Sequence, residues 1–266
     1  MEVSNLSIEK DGKSILSDIS FSLEKESTLA ILCPNNGGKT TLIKALSGIT
    51  NDGVLKSSVN NVILNKKNFK EYMLQISTVL EDIDNQFLCF KVNDELRYPL
   101  ENLNYKEKDI KNIIENISEL LEIKTILGKD ISRLSIYEKV KVLVGASIVH
   151  SPKVLLIDDI LRFLNNNEKN DLLKIFKKIN SKLNISIIYT SSDLNDVINS
   201  QNILLINNGK VVVQDSFNNI ILQDNELTKM GFFIPIMIDL SRKLQFYNLV
   251  DEIYLDKDKM VNALWK

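Results

Sequence analysis

The chain is short of cysteine, histidine and long apolar runs, and each shortage removes a class of chemistry. Its two cysteines, Cys33 and Cys89, have no CxxC spacing. That argues against a disulfide framework or a zinc site and fits a reducing cytoplasm. The single histidine, His150, stands just before Ser151-Pro152 and reads as a surface turn residue. Any chemistry that needs an imidazole elsewhere has no residue to supply it. No run of 18 apolar residues occurs, so no membrane-spanning helix is expected. The opening MEVSNLSIEKDGK has no apolar core of signal-peptide length. A net charge of −2 gives no electrostatic reason to expect nucleic acid as a partner. What remains is ordinary globular composition, 44% hydrophobic and 26% charged. The 266 residues suffice for one large domain, or one domain with a small appendage.

The most informative stretch is Leu29 to Leu46, LAILCPNNGGKTTLIKAL. Leu29–Leu32 reads as a short buried strand. A loop of Gly, Asn and Pro follows, and a helix opens at Lys39. The backbone N–H groups of such a loop (Asn35, Asn36, Gly37, Gly38, then Lys39, Thr40 and Thr41) point inward at an anion. The helix N-terminus adds its partial positive charge. Lys39 is placed to reach the β- and γ-phosphates of a nucleotide, and the Thr40 hydroxyl to hold Mg²⁺. The pattern G-x-x-x-x-G-K-[ST] wants glycine where this chain has Cys33, but Gly38-Lys39-Thr40 is intact.

The remaining pattern alternates strands and helices. Val3–Ile8 and Ile15–Leu23 read as strands around a turn at Asp11-Gly12. Val54–Lys56 and Val62–Leu64 suggest a second hairpin, and Met73–Leu80 a buried strand. Helical period follows at Val92–Asn102 and Lys106–Glu122, the charges there reading as a solvated face. Ser135 with Glu138 forms a capping box for a helix to Val149. Val154–Asp158 is a buried strand that ends in two acids, Asp158 and Asp159. Asn166–Leu183 reads as a helix, Ile185–Thr190 as a strand and Asp193–Ile198 as a short helix. Ile203–Ile206 and Val211–Gln214 form a hairpin around Asn208-Gly209. Two amphipathic helices, Ile234–Leu244 and Lys257–Trp265, close the chain. The alternation predicts an α/β fold with a mainly parallel sheet.

An Asp at the end of the second apolar strand, opposite a phosphate loop, is where P-loop nucleotidases hold Mg²⁺ from the other side. With the serine-started helix leading into that strand, residues 1 to about 222 resemble an ATP-binding-cassette ATPase domain. Asp82-Ile83-Asp84-Asn85-Gln86-Phe87, Val92 and Asp94-Glu95-Leu96 are similar to the segment after the glutamine loop in ATPases of energy-coupling factor transporters. Leu227–Met230, Gly231, Pro235, Leu240, Leu244 and Asp258–Trp265 resemble the same family's tail. The resemblance implies a P-loop domain over residues 1–224. It would have an antiparallel β subdomain, a helical subdomain at about 85–150, and a small helical dimerisation domain at 225–266.

Against that family the departures are specific. Lys10 stands where an aromatic stacks on adenine, and Glu81 replaces the glutamine that senses Mg²⁺ and the attacking water. The LSGGQ signature reads Leu134-Ser135-Ile136-Tyr137-Glu138, with both glycines gone and a negative charge added. Asp159 replaces the catalytic Glu, Asn165 an Asp, and Ser191 is matched to the switch histidine. Asp159 is one methylene short, displacing its carboxylate by roughly 1.5 Å.

The resemblance implies an ATP- and Mg²⁺-binding subunit on the cytoplasmic face of a membrane. It would pair with a second ATPase subunit under a transmembrane scaffold protein, while a substrate-binding membrane subunit takes up a vitamin or metal ion. Asp82, Asp84, Asp94 and Glu95 would then face basic scaffold residues, or be simply solvent-exposed. A pseudo-ATPase acting as the structural or regulatory half of such a pair is the competing expectation. A small-molecule kinase shares the loop but explains neither the serine-started helix nor the tail.

Overall fold

The computed structural model describes residues 1–49, 54–59, 62–200, 202–255 and 257–265. β1 (Glu2–Lys10) and β2 (Lys13–Ser22) meet at Asp11-Gly12, whose φ values of 52° and 72° make the tight reversal. β3 (Thr28–Leu32) leads through the Gly/Asn loop into α1 (Lys39–Leu46), which stops at Gly48 in the left-handed region, φ 71°. β4 (Val54–Val59) pairs with β5 (Val62–Ile63); the turn expected between them lies outside the described residues. β1, β2, β4 and β5 make one antiparallel sheet of order β2-β1-β4-β5.

Next come α2 (Phe69–Gln75), β6 (Ile76–Val79), α3 (Val92–Asn102), α4 (Glu107–Leu120) and α5 (Ile136–Ile148). β7 (Val154–Ile157), α6 (Asn166–Leu183), β8 (Ser186–Ser191), β9 (Ile203–Asn207) and β10 (Lys210–Asp215) complete the second sheet. Its order is β10-β9-β3-β8-β7-β6, parallel except for the β9–β10 hairpin. β7 and β8 are buried throughout because both faces of this sheet are covered, which is why they carry no polar alternation. Period two still sorts the side chains. Ala30, Leu32, Leu155, Ile157, Ile187 and Tyr189 face the core under α3–α6. Leu29, Ile31, Val154, Leu156 and Ile188 face α1 and the antiparallel sheet.

Three expectations need correction. Met73–Leu80 is not one strand: its first residues end α2, and β6 begins only at Ile76. Tyr72, Met73, Leu74 and Gln75 are followed by β-branched Ile76, Thr78 and Val79, so the propensity changes inside the apolar run. Tyr72 anchors the helix, buried, with its hydroxyl donating to Leu46 O at 2.9 Å. His150 does stand in the turn after α5, but not as a surface residue. It is half-buried, Nε2 lies 3.3 Å from Ser77 Oγ, and burial lowers its pKa below the ordinary value. Glu95 is 5% exposed, and its Oε2 accepts Leu88 N–H and Cys89 N–H at 3.0 and 2.8 Å. It therefore ties the 88–89 loop to α3 and is not presented to a partner.

The capping box at α5 is present in both directions. Glu138 N–H donates to Ser135 Oγ at 3.2 Å, and Ser135 N–H donates to Glu138 Oε2 at 2.8 Å. That backbone bond is the main reason the Glu138 carboxyl is held below its usual pKa. Ser135→Ala is expected to cost about 1 kcal/mol, read as a lowered denaturation midpoint with unchanged slope.

After β10 the chain runs through α7 (Phe217–Ile220), α8 (Asp224–Lys229), α9 (Ile236–Phe246) and α10 (Lys257–Leu264). Leu227, Phe232 and Ile238 belong to the same buried cluster as the helical layer, so this tail packs on its own domain. Phe233, Ile236, Phe246 and Trp265 remain exposed by 91, 83, 81 and 80%. Among the described residues no helix is long and apolar enough to cross a membrane.

Candidate nucleotide site

The loop after β3 is shaped by its neighbours. Cys33 N–H donates to Ser191 O at 3.0 Å, and Gly37 N–H to Pro34 O at 3.0 Å. A Cβ on Gly37 would lie 2.4 Å from Cys33 Sγ, so the turn has no room for a side chain there. Gly38 has φ 98°, and a Cβ on it would meet Leu16 Cδ2 at 2.8 Å. Asn36 also sits at positive φ, 61°, a conformation Asn tolerates best after glycine. The Cys33 side chain is fully buried, and burial pushes its thiol up to about 11. It is an inert filler of the loop interior. Asn35 and Asn36 are exposed, and Gly37, Gly38, Thr40 and Thr41 half-buried.

Lys39 opens α1 and is buried. Its Nζ lies 2.9 Å from Asp159 Oδ2, yet makes no aligned hydrogen bond. Asp158, fully buried at the end of β7, accepts Thr190 Oγ1–H on Oδ1 at 3.1 Å. Burial raises its pKa, and hydrogen bonds from Thr40 and Thr190 oppose that. Its Oδ2 accepts no hydrogen bond. A buried ammonium and a buried carboxylate oxygen thus keep bonding capacity beside a loop of backbone N–H groups. That set fits a phosphate and its divalent cation.

Asp159 stands at φ 47° and its N–H donates to Thr190 Oγ1 at 2.9 Å. Arg162 Nη1 is 3.9 Å from Asp159 Oδ2 and 3.3 Å from Glu81 Oε2, which connects Glu81 to the site. The loop after Glu81 is pinned by Gln86. Its Oε1 accepts Leu80 N–H at 2.7 Å, and its Nε2 donates to Leu80 O and Asp82 O at 2.8 Å each. Asn165 caps α6, its Oδ1 accepting Asn167 N–H and Glu168 N–H at 3.0 and 3.1 Å. Arg162 carries no motif in the sequence, being a lone Arg after two acids; Gln86 was legible only as part of the Asp82–Phe87 resemblance, without its role in pinning the loop.

Ser191 is 1% exposed, and its Oγ donates to buried Asp196 Oδ2 at 2.7 Å. It lies on the α6 side of β8, with Ile187 and Tyr189. Thr190 points the other way, to Asp158. Ser192, half-buried, follows the strand's last residue. Leu134–Glu138 sit at the head of α5. Leu134 is buried, Ile136 is 49% exposed, and the Tyr137 ring lies under Lys141 Nζ at 4.7 Å, its hydroxyl pushed up to about 12 by burial. Among the described residues no hydrogen bond or ion pair links this segment to the phosphate loop. Asp82, Asp84 and Asp94 are exposed, Asp84 pairing with Lys139 at 2.7 Å. Lys10 is exposed at the β1–β2 turn.

A glycine loop that presents a lysine to acids at the end of a parallel strand of the same sheet, with one strand between them, defines a P-loop nucleotide-binding domain. The sequence pattern of the ABC transporter family matches residues 16–162, more than half of the chain, and the chain belongs to that family. It is 24% identical to the energy-coupling factor transporter ATP-binding protein EcfA of Malacoplasma penetrans over 266 residues, 100% of this chain and 93% of that protein. EcfA1 of Mesomycoplasma hyopneumoniae (strain J) is 28% identical over 252 residues, 95% of this chain and 91% of that one. Among solved structures, CbiO1 of Clostridium perfringens, part of the ABC transporter complex CbiONQ, matches with a TM-score of 0.78 at 22% identity, covering 93% of this chain and 98% of that chain. At that identity the likeness carries the fold. The resemblance to energy-coupling factor ATPases read from the sequence therefore stands.

Proposed function

We propose that this chain binds Mg-ATP as one ATPase subunit of an energy-coupling factor transporter, and that it turns ATP over weakly by itself. The observation that carries the reading is the pair of buried groups with bonding capacity left, Lys39 Nζ and Asp158 Oδ2. Lys39 meets phosphate oxygens, Thr40 and Asp158 hold Mg²⁺, and the N–H groups of Asn35 to Thr41 wrap the phosphates. When bound, the nucleotide supplies the reactive anhydride and the metal draws charge from its phosphates. The partners are a second ATPase subunit, a transmembrane scaffold protein and a substrate-binding membrane subunit for a vitamin or metal ion. The chain sits on the cytoplasmic face. The exposed apolar residues of the tail support its role as a dimerisation surface.

The reading as an impaired half of an ATPase pair is favoured by the pairing of Asp159 with Lys39 at 2.9 Å. The carboxylate at the base position is spent on the phosphate-binding cation. At the end of β8, strand alternation returns Ser192 to the side of Thr190 and Asp158, so Ser192, and not Ser191, is our candidate for the switch position. Neither serine carries a positive charge.

Isothermal titration tests the reading. We expect Mg-ATP to bind more weakly than to a relative with an intact loop, with a dissociation constant above the low micromolar range. Lys39→Ala removes a charge-assisted contact and is expected to weaken binding by roughly 10- to 100-fold. Equal affinity in the variant would remove the phosphate-loop assignment.

A further inference from the structure

One carboxylate oxygen at the site serves two cations. Asp159 Oδ2 lies 2.9 Å from Lys39 Nζ and 3.9 Å from Arg162 Nη1. Among the described residues these are the cations within 4.0 Å of it. The Asp159 side chain is 5% exposed, so it cannot be left unpaired without a large penalty. Nor can it follow a departing partner: its backbone is fixed at φ 47° with its N–H on Thr190 Oγ1. Lys39 is equally buried, whereas the Arg162 side chain is 50% exposed and stacks on Phe163 at 4.6 Å. The mobile cation is Arg162. Its other anchor, Glu81 at 3.3 Å, is 38% exposed, and an exposed pair of that kind is weak and easily exchanged.

We propose that Arg162 is a positioning residue that takes over the Asp159 carboxylate when a nucleotide phosphate draws Lys39 away, so that phosphate binding exchanges one ion pair for another. The proposal rests on the reading of Lys39 as a phosphate ligand given above. It has two consequences. The lysine becomes available to phosphate without an unpaired buried acid being left behind. Glu81 loses its partner when the site fills, so occupancy is passed to the segment that begins at Asp82.

A melting experiment on the nucleotide-free full chain tests the exchange independently of ligand. Lys39→Met alone lets Arg162 close on Asp159, and Arg162→Gln alone leaves Lys39 in place, so each is expected to melt near the unmodified chain. The double variant strands the carboxylate and is expected to melt roughly 5 °C or more below the sum of the single effects. Adding Asp159→Asn should erase that excess. Additive losses overturn the exchange. In the second arm, binding of the non-hydrolysable imido analogue of ATP with Mg²⁺ is measured. Arg162→Gln is expected to weaken it about tenfold, and Asp159→Asn in that background to restore it, because no acid then needs a cation. A loss that Asp159→Asn fails to restore means that Arg162 touches phosphate directly, and overturns the positioning role. Coupled melting losses with no analogue binding by the unmodified chain would overturn the nucleotide reading instead.

Discussion

Phosphate release by the unmodified chain is expected to stay near background. It should rise by about 10²–10⁴-fold in a Ser192→His, Asp159→Glu variant mixed with an ATPase subunit that carries an intact LSGGQ signature. The phosphoryl-transfer transition state spreads charge over its equatorial oxygens, which must be met by donors and positive groups. Lys39 and the metal would remain, so ground-state binding suffers less than rate. Asp159→Glu lengthens the side chain at the base position, and Ser192→His supplies the missing imidazole on the face of β8 that Thr190 and Asp158 occupy. The variant alone should gain little. In the proposed reading Ile136, 49% exposed, and Tyr137 take the places of the signature glycines that would admit phosphate, and Glu138 spends its carboxylate on Ser135 N–H. Ser191→His is the control. It places an imidazole in a buried position already bonded to Asp196, and is expected to unfold the end of β8 without restoring rate. Robust turnover by the unmodified chain would show that Asp159 suffices as base.

Much of this was legible because periodicity and turn chemistry are local. Ser135 and Glu138 announced their helix, Asn208-Gly209 its hairpin, and the apolar run before Cys33 its buried strand. The sequence misled where a run changes state partway, as at Tyr72–Val79, since apolar content alone does not distinguish a helix end from a strand start. It also misled where polar groups pair across the fold. Glu95 looked like a surface acid because its partners are backbone N–H groups six and seven residues back in a loop of no regular pattern. The site acids Asp158 and Asp159 could be placed at a strand end, but not divided in role. Thr190, brought alongside by β8, holds one carboxylate and orients the backbone of the other. Arg162 joins them from three residues further on, a spacing that says nothing until the short turn after Asp159 is built.

The second large effect lies behind β8. Asp196, 4% exposed, is expected to cost about 3–5 kcal/mol when replaced by Ala, measured by chemical denaturation. Its Oδ1 pairs with Lys169 Nζ at 2.8 Å, its Oδ2 accepts Ser191 Oγ–H at 2.7 Å, and its backbone oxygen accepts Tyr189 O–H at 3.2 Å. The Lys169 side chain is only 15% exposed and its other carboxylate, Asp193 Oδ2, is 3.7 Å away, so removing Asp196 takes the close partner from a mostly buried ammonium and the close acceptor from a buried hydroxyl together. Burial holds the Asp196 carboxyl above its usual pKa even with Lys169 and Ser191 opposing the shift, which marks this as a pair whose desolvation is incompletely offset. Replacing both partners, Asp196→Leu with Lys169→Met, should therefore cost much less than the single change. The two variants are expected to differ in stability but to agree in weakened nucleotide binding. Ser191 in both loses the acceptor that fixes the end of β8, and Thr190, one residue earlier, is what supports Asp158. The double variant should accordingly recover stability and still bind Mg-ATP less well than the unmodified chain. Binding by the double variant equal to that of the unmodified chain would mean that the register of β8 with β3 and β7 alone positions Thr190.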